Sequence, residues 1–263
     1  MQQFGDYLRQ WRTTRRMSQL DLGLEAEVSA RHISFLESGR SKPSRSMVLQ
    51  LAETLSVPRA ARNTMLNAAG FRALYQERGL ADAMMAPVRA ALDHLLAGHD
   101  PYPGFAIDRH WNIKKANRMG AQLLAASQIP LGGNMLDALI DPDRIKPLVE
   151  NWGELVAHMV TRLRTESAHF GGDPVLDAAI AALSRDPALA DFELDEEMPP
   201  IALTHYRLGD QRFSVFSTLA QFGSAEDIAL ADLRIELLFP ADADTRSRFE
   251  ALAEMMSVEE VSQ

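Results

Sequence analysis

The sequence predicts two domains of different fold class: a mainly α domain of five helices, followed by an α+β domain in which helices accompany an antiparallel sheet. Three observations support this prediction. Residues 1–75 carry apolar side chains at helical spacing, interrupted at short intervals by caps and turns. Beyond residue 104 the order becomes two strands, a helical block and three strands. The 263 residues, 46% of them hydrophobic, are enough for two modest hydrophobic cores.

The net charge of −9 conceals a basic first segment. Residues 1–79 contain 12 Lys and Arg against 7 Asp and Glu, whereas the remaining 184 residues contain 15 against 29. Such an asymmetry suggests a nucleic-acid-binding module joined to a domain with another role. The alternative is a surface whose charge is uneven without functional meaning.

The composition excludes several kinds of chemistry. The chain has no cysteine, so disulfides, thiolate nucleophiles and cysteine zinc sites are excluded, and the reducing cytoplasm is the expected location. The stretch MQQFGDYLRQWR lacks the apolar core of a signal peptide, and no stretch reaches about 18 uninterrupted apolar residues. Neither export nor a membrane partner is therefore predicted.

Motifs of enzymes and metal sites are missing as well. The seven histidines include no pair four residues apart, and there is no HExxH, GxSxG, GxxxxGK[ST] or GxGxxG pattern. Asp195, Glu196 and Glu197 form a solvated acidic run. We expect no enzyme, no metal site and no cofactor, with a haem held by a single histidine left open.

Five helices are predicted in the first domain, each with its own start. The first runs from Phe4 to Arg15. Ser18, Ser29 and Ser44 cap the second, third and fourth helices. The fifth helix follows Pro58.

The stretch SARHISFLESGRSKPS, residues 29–44, is a short helix followed by a cationic loop. Ile33 and Leu36 fall on one face, so the polar side chains point away from the core. Pro43 prevents the helix from continuing into the loop that carries Arg40 and Lys42. Two short helices joined by a tight turn, the second followed by cations, indicate a helix-turn-helix, and hence DNA.

The stretch MSQLDLGLEAEVSARHISFLESGRSKPSRSMVLQLAETLSVP resembles the helix-turn-helix of the XRE family, the lambda-type repressors. Two positions depart from the family pattern. Glu27 stands where many members have glycine at the turn and is strained if its φ is positive. Gly23 stands where alanine usually packs, and it weakens its helix by about 1 kcal/mol relative to alanine.

The resemblance implies a division of labour on DNA. The helix N-termini and the basic loop are expected to contact phosphates, and the third helix is expected to contact base edges. On that helix, Arg31 can donate two hydrogen bonds to the two acceptor atoms of guanine. Arg31 can also be a solvated surface residue, Phe35 a core residue, and His32 a backbone contact or a bystander. Binding as a homodimer to two half-sites is expected. The full DNA-contacting set is Ser18, Gln19, Ser29, Ala30, Arg31, His32, Ser34, Phe35, Arg40, Lys42 and Ser44.

The domain boundaries follow from a change of pattern. The helix-turn-helix domain is placed at residues 1–75, a connector with a helix opened by Pro87 at 76–103, and the α+β domain at 104–263. Its helices are expected on one face of the sheet. The predicted strands are GFAID, WNIKKAN, PPIALTHYRLG, QRFSVFSTLAQF and ADLRIELLFPAD.

This order of elements resembles a PAS-type sensor fold, and more specifically the ligand-binding domain of MmyB-like transcription regulators. The stretches that carry the resemblance are PYPGFAIDRHWNIKKANRMGAQLL, NML at 134–136, the helix containing Trp152, and FSTLAQFGSAEDIALADLRIELLFPAD. The resemblance implies a fatty-acid-like or other apolar ligand in the core. Asn117 and His205 are candidates for its polar head, although each can equally be a satisfied structural residue.

The apolar candidates for the ligand wall are also compatible with ordinary core packing, which is the commoner role of such side chains. They are Phe105, Ile107, Trp111, Leu123, Trp152, Met159, Phe213 and Phe216.

Two functional hypotheses follow. The first is a dimeric DNA-binding regulator that responds to an apolar ligand. The second is a constitutive regulator whose second domain serves dimerisation or protein interaction without a small molecule. An antitoxin-like role is a weaker third, because the second domain is larger than toxin neutralisation needs.

Overall fold

A computed structural model describes residues 3–190, 201–223 and 225–261. These residues form two compact units, neither of which is one continuous stretch. Unit 1 comprises residues 3–78, 165–174 and 225–231, and unit 2 comprises the described residues of 79–164, 175–223 and 232–261. Most of the predicted connector therefore belongs to unit 2, and two later segments belong to unit 1. The acidic run at 195–197 lies outside the described residues.

In chain order, the helices and strands are α1 (Phe4–Thr14), α2 (Gln19–Glu25), α3 (Ala30–Glu37), α4 (Arg45–Thr54), α5 (Arg59–Ala68), α6 (Ala86–His99), β1 (Gly104–Ile107), β2 (Ile113–Ala116), α7 (Arg118–Ala126), α8 (Met135–Ile140), α9 (Trp152–His169), α10 (Pro174–Leu183), α11 (Pro187–Ala190), β3 (Thr204–Leu208), β4 (Gln211–Gln221), α12 (Ile228–Ala231), β5 (Arg234–Pro240) and α13 (Ala243–Val261).

The five predicted helices of the first domain are confirmed as α1 to α5. Each buries the side chains that recur at helical spacing, because these positions share the face toward the other helices. The resulting core contains Leu8, Trp11, Leu22, Ile33, Leu36, Leu51 and Met65, among others.

The turn between α2 and α3 is tight. Glu27 adopts a positive φ of 53°, as its place in the turn suggested. A methyl group on Gly23 would lie 2.5 Å from the carbonyl oxygen of Val28 and 3.1 Å from the amide nitrogen of Ala30. Glycine at position 23 is thus required by the close approach of the following chain.

The two later segments of unit 1 are fastened to its helices by polar contacts. The Gln10 side-chain amide donates to the carbonyl of Gly171 at 3.1 Å. Asp227, which is buried, accepts hydrogen bonds from the backbone amide and the guanidinium of Arg78 at 3.1 and 3.0 Å. Unit 1 therefore contains more of the chain than the helix-turn-helix alone.

Unit 2 is built on a five-stranded antiparallel sheet of order β2-β1-β5-β4-β3. Phe105 of β1 lies opposite Ala116 of β2 and Glu236 of β5, and Tyr206 of β3 lies opposite Phe213 of β4. The sheet with its helices confirms the predicted α+β class.

Helices pack on both faces of this sheet, so the expectation of helices on one face was wrong. His99 of α6 packs edge-on against Phe239 of β5 at 4.7 Å. Leu238, the neighbouring residue of β5, faces α7 and α13 instead. Successive side chains of a strand point to opposite faces, which places α6 on one side and α7 with α13 on the other.

The described residues contain no helix that is both long enough and apolar enough to cross a membrane. Within the same ranges, no group of three or more His, Asp or Glu side chains is arranged to hold a metal ion.

Candidate DNA-binding surface and ligand pocket

Helix α3 presents a buried face and an accessible face, as its sequence predicts. Ile33 and Leu36 are buried in the core of unit 1. Arg31 is exposed on the other side, and the remaining predicted base-contacting side chains are partly exposed: Ala30, Ser34 and Phe35. His32 is also partly exposed. The accessible face is therefore free to approach the edges of bases.

Phe35 organises the cations around α3. The guanidinium carbons of Arg31 and Arg40 lie 5.3 and 6.0 Å from the centre of its ring. Phe35 is only partly buried and is not part of the main core of unit 1. Cation–π attraction to one ring holds both arginines on the same surface.

The exposed cations near α3 are electrostatically available. Within the described parts of the chain, Arg31, Arg40 and Lys42 take part in no ion pair. By contrast, Arg12 and Arg59 are paired with Glu37 and Glu226. Three uncompensated positive charges thus lie on α3 and the loop that follows it, which suits phosphate binding.

The predicted serines act as helix caps. The hydroxyl of Ser18 accepts from the amide of Asp21, and that of Ser29 accepts from the amide of His32. The hydroxyl of Ser44 accepts from the amide of Met47 at 3.2 Å. These caps fix the residues at which α2, α3 and α4 begin. The three serines are exposed to solvent at these helix N-termini.

Glu37 joins three helices at the base of this surface. Its carboxylate accepts two hydrogen bonds from Arg12, at 2.6 and 3.0 Å, and one from Gln19 at 2.8 Å. Burial raises the pKa of Glu37, but the bonds from Arg12 and Gln19 outweigh this effect and the net pKa is lowered. Gln19, predicted to contact phosphate, therefore has one of its two amide hydrogens committed to Glu37.

Unit 2 contains a pocket of about 280 Å³ between the sheet, α7 and α13. The side chains that line it recur every three or four residues along the helices and every second residue along the strands, because these spacings place them on one face of each element. The lining consists of Pro103, Met119, Gln122, Leu123, Ala126, Tyr206, Leu208, Phe213, Val215, Leu238, Phe249, Leu252 and Met256.

Only two of the residues predicted to touch the ligand, Leu123 and Phe213, line this pocket. Five others are packed in the main core of unit 2: Phe105, Ile107, Trp111, Trp152 and Met159. These residues are buried because they lie where the sheet and α9 pack into the main core. This is the ordinary core packing that the sequence offered as the alternative to ligand contact.

The three remaining candidates do not line the pocket. The amide of Asn117 caps α7 and bonds Gly104 at 2.9 Å and the carbonyl of Tyr102 at 2.7 Å, which makes it a structural residue. His205 bonds the hydroxyl of Ser214 at 2.9 Å. Phe216 stacks on Phe239 at 5.6 Å, on the face of β4 opposite Phe213 and Val215.

The contributions of α13 and of Tyr206 and Leu208 on β3 were not predicted from the sequence. Phe249, Leu252 and Met256 recur at helical spacing within RFEALAEMM, a pattern that would have predicted α13 and its buried stripe. Tyr206 lies within a strand that the sequence predicted, but it was not among the predicted ligand contacts. Nothing in the local pattern indicated that it faces a cavity.

A largely buried ion pair contributes to the electrostatics at Tyr206. Arg162 donates two hydrogen bonds to Glu236, at 3.0 and 3.1 Å, and its guanidinium lies 4.3 Å from the ring of Trp111. Burial, reinforced by the negative charge of Glu236, raises the pKa of Tyr206 to about 12. The Tyr206 hydroxyl therefore stays protonated at neutral pH and can donate a hydrogen bond.

Comparison with known proteins agrees with both halves of this description. Residues 3–65 match a helix-turn-helix domain family, and residues 88–252 match the MmyB-like transcription regulator ligand-binding domain family. A solved structure, the PAS domain of Bordetella pertussis BvgS, is similar at 13% identity with a TM-score of 0.30, covering 67% of this chain and 99% of that chain. No curated protein matches the chain. The second family match spans most of the chain, which therefore belongs to the MmyB-like transcription regulators, DNA-binding proteins with a helix-turn-helix and a ligand-binding domain.

Proposed function

We propose that the protein reads a specific DNA sequence through α3 in the major groove and that an apolar, fatty-acid-like ligand in unit 2 modulates this binding. The observation that carries the DNA-binding part is the accessible face of α3, with unpaired cations grouped around Phe35. Arg31 recognises a base edge, and Arg40 and Lys42 hold the backbone of the DNA.

The protein binds its operator as a homodimer in this proposal. A single helix-turn-helix offers too few contacts for tight specific binding, and two copies reach half-sites about one helical turn apart. A palindromic or nearly palindromic operator follows from this arrangement.

The ligand part is supported by the pocket in unit 2. Eleven of its lining side chains are aliphatic or aromatic hydrocarbons or thioethers: Pro103, Met119, Leu123, Ala126, Leu208, Phe213, Val215, Leu238, Phe249, Leu252 and Met256. Such a surface favours an apolar ligand, with a few polar groups to orient it.

The first experiment selects binding sequences from random DNA with the full chain and determines the stoichiometry of the complex by sedimentation. We expect an enriched palindrome occupied by two chains. The absence of any enriched sequence would contradict sequence-specific recognition, and one chain per site would contradict the dimer.

A constitutive regulator is the second candidate, favoured by the close packing of Phe105, Trp111 and Met159 in the main core. Mass spectrometry of small molecules extracted from the denatured protein separates the two. A stoichiometric acyl compound supports the ligand-responsive regulator. A clean extract, together with DNA affinity that no apolar compound changes, supports the constitutive one.

A further inference from the structure

The C-terminus of α3 ends in a turn that brings the basic loop close to the helix. Gly39 adopts a positive φ of 72°, and the amide of Arg40 donates to the carbonyl of Phe35 at 2.9 Å. The amide of Gly39 donates to the carbonyl of Leu36 at 3.3 Å. These two bonds form a Schellman motif, which ends the helix and satisfies its last carbonyls. Arg40 is therefore placed beside the turn of α3 that carries Phe35.

Arg31 contacts the same ring from within the helix. It lies four residues before Phe35, and residues at this spacing are neighbours on one face of a helix. The guanidinium carbon of Arg31 lies 5.3 Å from the ring centre, and that of Arg40 lies 6.0 Å from it. One aromatic ring thus contacts one cation from the helix and one from the loop.

Within the described residues, this ring is the side-chain partner of both guanidinium groups. Neither Arg31 nor Arg40 forms an ion pair or a side-chain hydrogen bond there, and both residues are exposed. An unrestrained arginine has many rotamers and loses this freedom when it contacts DNA, which weakens binding. Contact with Phe35 restricts the rotamers of both arginines before DNA is bound.

Phe35 itself contributes little to the core. It is partly exposed and lies outside the main core of unit 1, whereas its neighbour Leu36 is buried in that core. An aliphatic side chain of similar size can replace its apolar surface but not the attraction of an aromatic ring for a cation. The specific contribution of Phe35 is therefore its contact with the two arginines.

We propose that Phe35 is a positioning residue for DNA recognition: its ring holds Arg31 in the orientation that reads one base pair and couples it to Arg40 on the DNA backbone. This inference rests on the proposed DNA-binding function and names the residue on which the base preference of Arg31 depends. Phe35 acts through the arginines and does not read a base itself.

The test measures competition binding of the full chain to operators in which each base pair is replaced in turn. The operator is the sequence that the parent protein selects, and the position of interest is the one at which Arg31→Ala relaxes the base preference. Phe35→Leu should lower the preference at this position about twofold to fivefold, the size expected for the loss of one exposed cation–π contact. Phe35→Tyr keeps an aromatic ring and should retain the preference.

Each other pattern of preference overturns the inference. An unchanged preference in Phe35→Leu shows that the ring does not position Arg31. Uniform weakening on all operators, with the preference unchanged, shows a merely structural role. A change confined to another base position shows that Phe35 reads a base directly. A Phe35→Tyr protein that behaves like Phe35→Leu shows that the aromatic ring is not the cause.

A double variant tests whether Phe35 acts through Arg31. Adding Phe35→Leu to Arg31→Ala should lower the preference at this position no further, because both changes remove the same interaction, and additive losses overturn the inference. Phe71→Leu is the matched control, since Phe71 is a partly exposed phenylalanine of unit 1 that packs against its core. The control should leave the preference unchanged, and an equal loss in the control overturns the assignment to Phe35.

Failure of the proposed function gives a different result. A parent protein without any sequence preference contradicts DNA reading by α3 and the inference together. A sequence-specific parent in which Arg31→Ala relaxes no position contradicts the inference but leaves specific DNA binding in place. Thermal melts establish that each variant is folded. Phe35→Met, which also lacks a ring, replaces Phe35→Leu if the latter does not fold.

Discussion

Gly23 shows how a residue can be unfavourable for its helix and still necessary. Glycine in the interior of α2 costs about 1 kcal/mol relative to alanine. The chain after the turn, however, approaches so closely that a methyl group would lie 2.5 Å from the Val28 oxygen. The positive φ of Glu27 belongs to the same tight turn. Steric exclusion by backbone atoms thus outweighs helix propensity at this position.

We expect Gly23→Ala to lower the free energy of unfolding by about 1–3 kcal/mol, since the backbone must shift to accept the methyl group. Urea denaturation measures the change. Gly98→Ala is the matched control, because Gly98 is exposed in α6 and a methyl group there meets nothing within 4 Å. The control should be neutral or gain up to about 1 kcal/mol. A stabilised Gly23→Ala protein would show that the turn is looser than described.

Glu37 links stability to pH. Its folded pKa is lowered, although burial alone raises it, because the hydrogen bonds from Arg12 and Gln19 favour the carboxylate. A carboxyl whose pKa is lower in the folded protein contributes stability above its unfolded pKa of about 4.3, and that contribution is lost as pH falls through the folded pKa.

We expect Glu37→Gln to destabilise the protein by about 3 kcal/mol at pH 7, because Arg12 loses its charged partner. The difference in unfolding free energy between the parent and the variant should shrink as pH falls below about 4. Denaturation curves across this range provide the measurement. Glu53→Gln, in which the lost carboxylate is exposed, should change stability by at most about 1 kcal/mol. A constant difference at all pH values would contradict the assigned role of Glu37.

At the scale of elements, α3 combines two tasks on one short helix. Its buried face, with Ile33 and Leu36, fixes the helix in unit 1. Its accessible face holds Arg31 against Phe35, and the following loop supplies Lys42. In the proposed function, base reading and backbone attachment therefore come from different residues.

We expect Arg31→Ala to relax base preference at one position in each half-site, at a cost of about 1–3 kcal/mol on the preferred base. Lys42→Ala should weaken binding to all sequences comparably and reduce the slope of log affinity against log salt by about one. Binding titrations on operator and scrambled DNA at several salt concentrations separate the two effects. Identical behaviour of the two variants would refute the division of labour.

Helix α13 changes the interpretation of the second domain. It supplies Phe249, Leu252 and Met256 to the pocket, and Phe249 packs on Phe213 of β4 at 4.9 Å. If helices covered only the face of the sheet that contacts α6, Phe213 and Val215 on the opposite face would be uncovered. The cavity exists because α13 spans from the sheet toward α7 without filling the space between them.

At the scale of the whole molecule, the proposed function requires a coupling free energy between ligand and DNA. Allosteric couplings of about 1–3 kcal/mol, or roughly 5- to 150-fold in affinity, are typical. We expect an apolar ligand to change operator affinity within this range, measured by DNA titration with and without octanoic acid.

Leu252→Trp should abolish this response, because the larger side chain occupies the pocket, while DNA affinity without ligand is retained. Met255→Trp is the matched control on the same helix, since Met255 is 64% exposed and lies outside the lining. Loss of the response in the control alone would contradict the pocket assignment.

The sequence by itself determined the elements that have local signals. Apolar spacing and serine caps predicted α1 to α5 because these signals lie within one or two helical turns. Alternation and turn residues predicted the five strands. The motif around α3 predicted the helix-turn-helix, and the family match later agreed with it.

The tertiary structure alone decided which apolar residues enclose space and which fill it. Phe105 and Met159 look like Leu123 and Phe213 in the sequence, yet the first pair is packed in the core and the second pair faces a cavity. The difference depends on the gap left between β4, α7 and α13, which are far apart in the chain. Side-chain periodicity predicts the face of an element, but only the packing of several elements determines whether that face meets another side chain or a ligand.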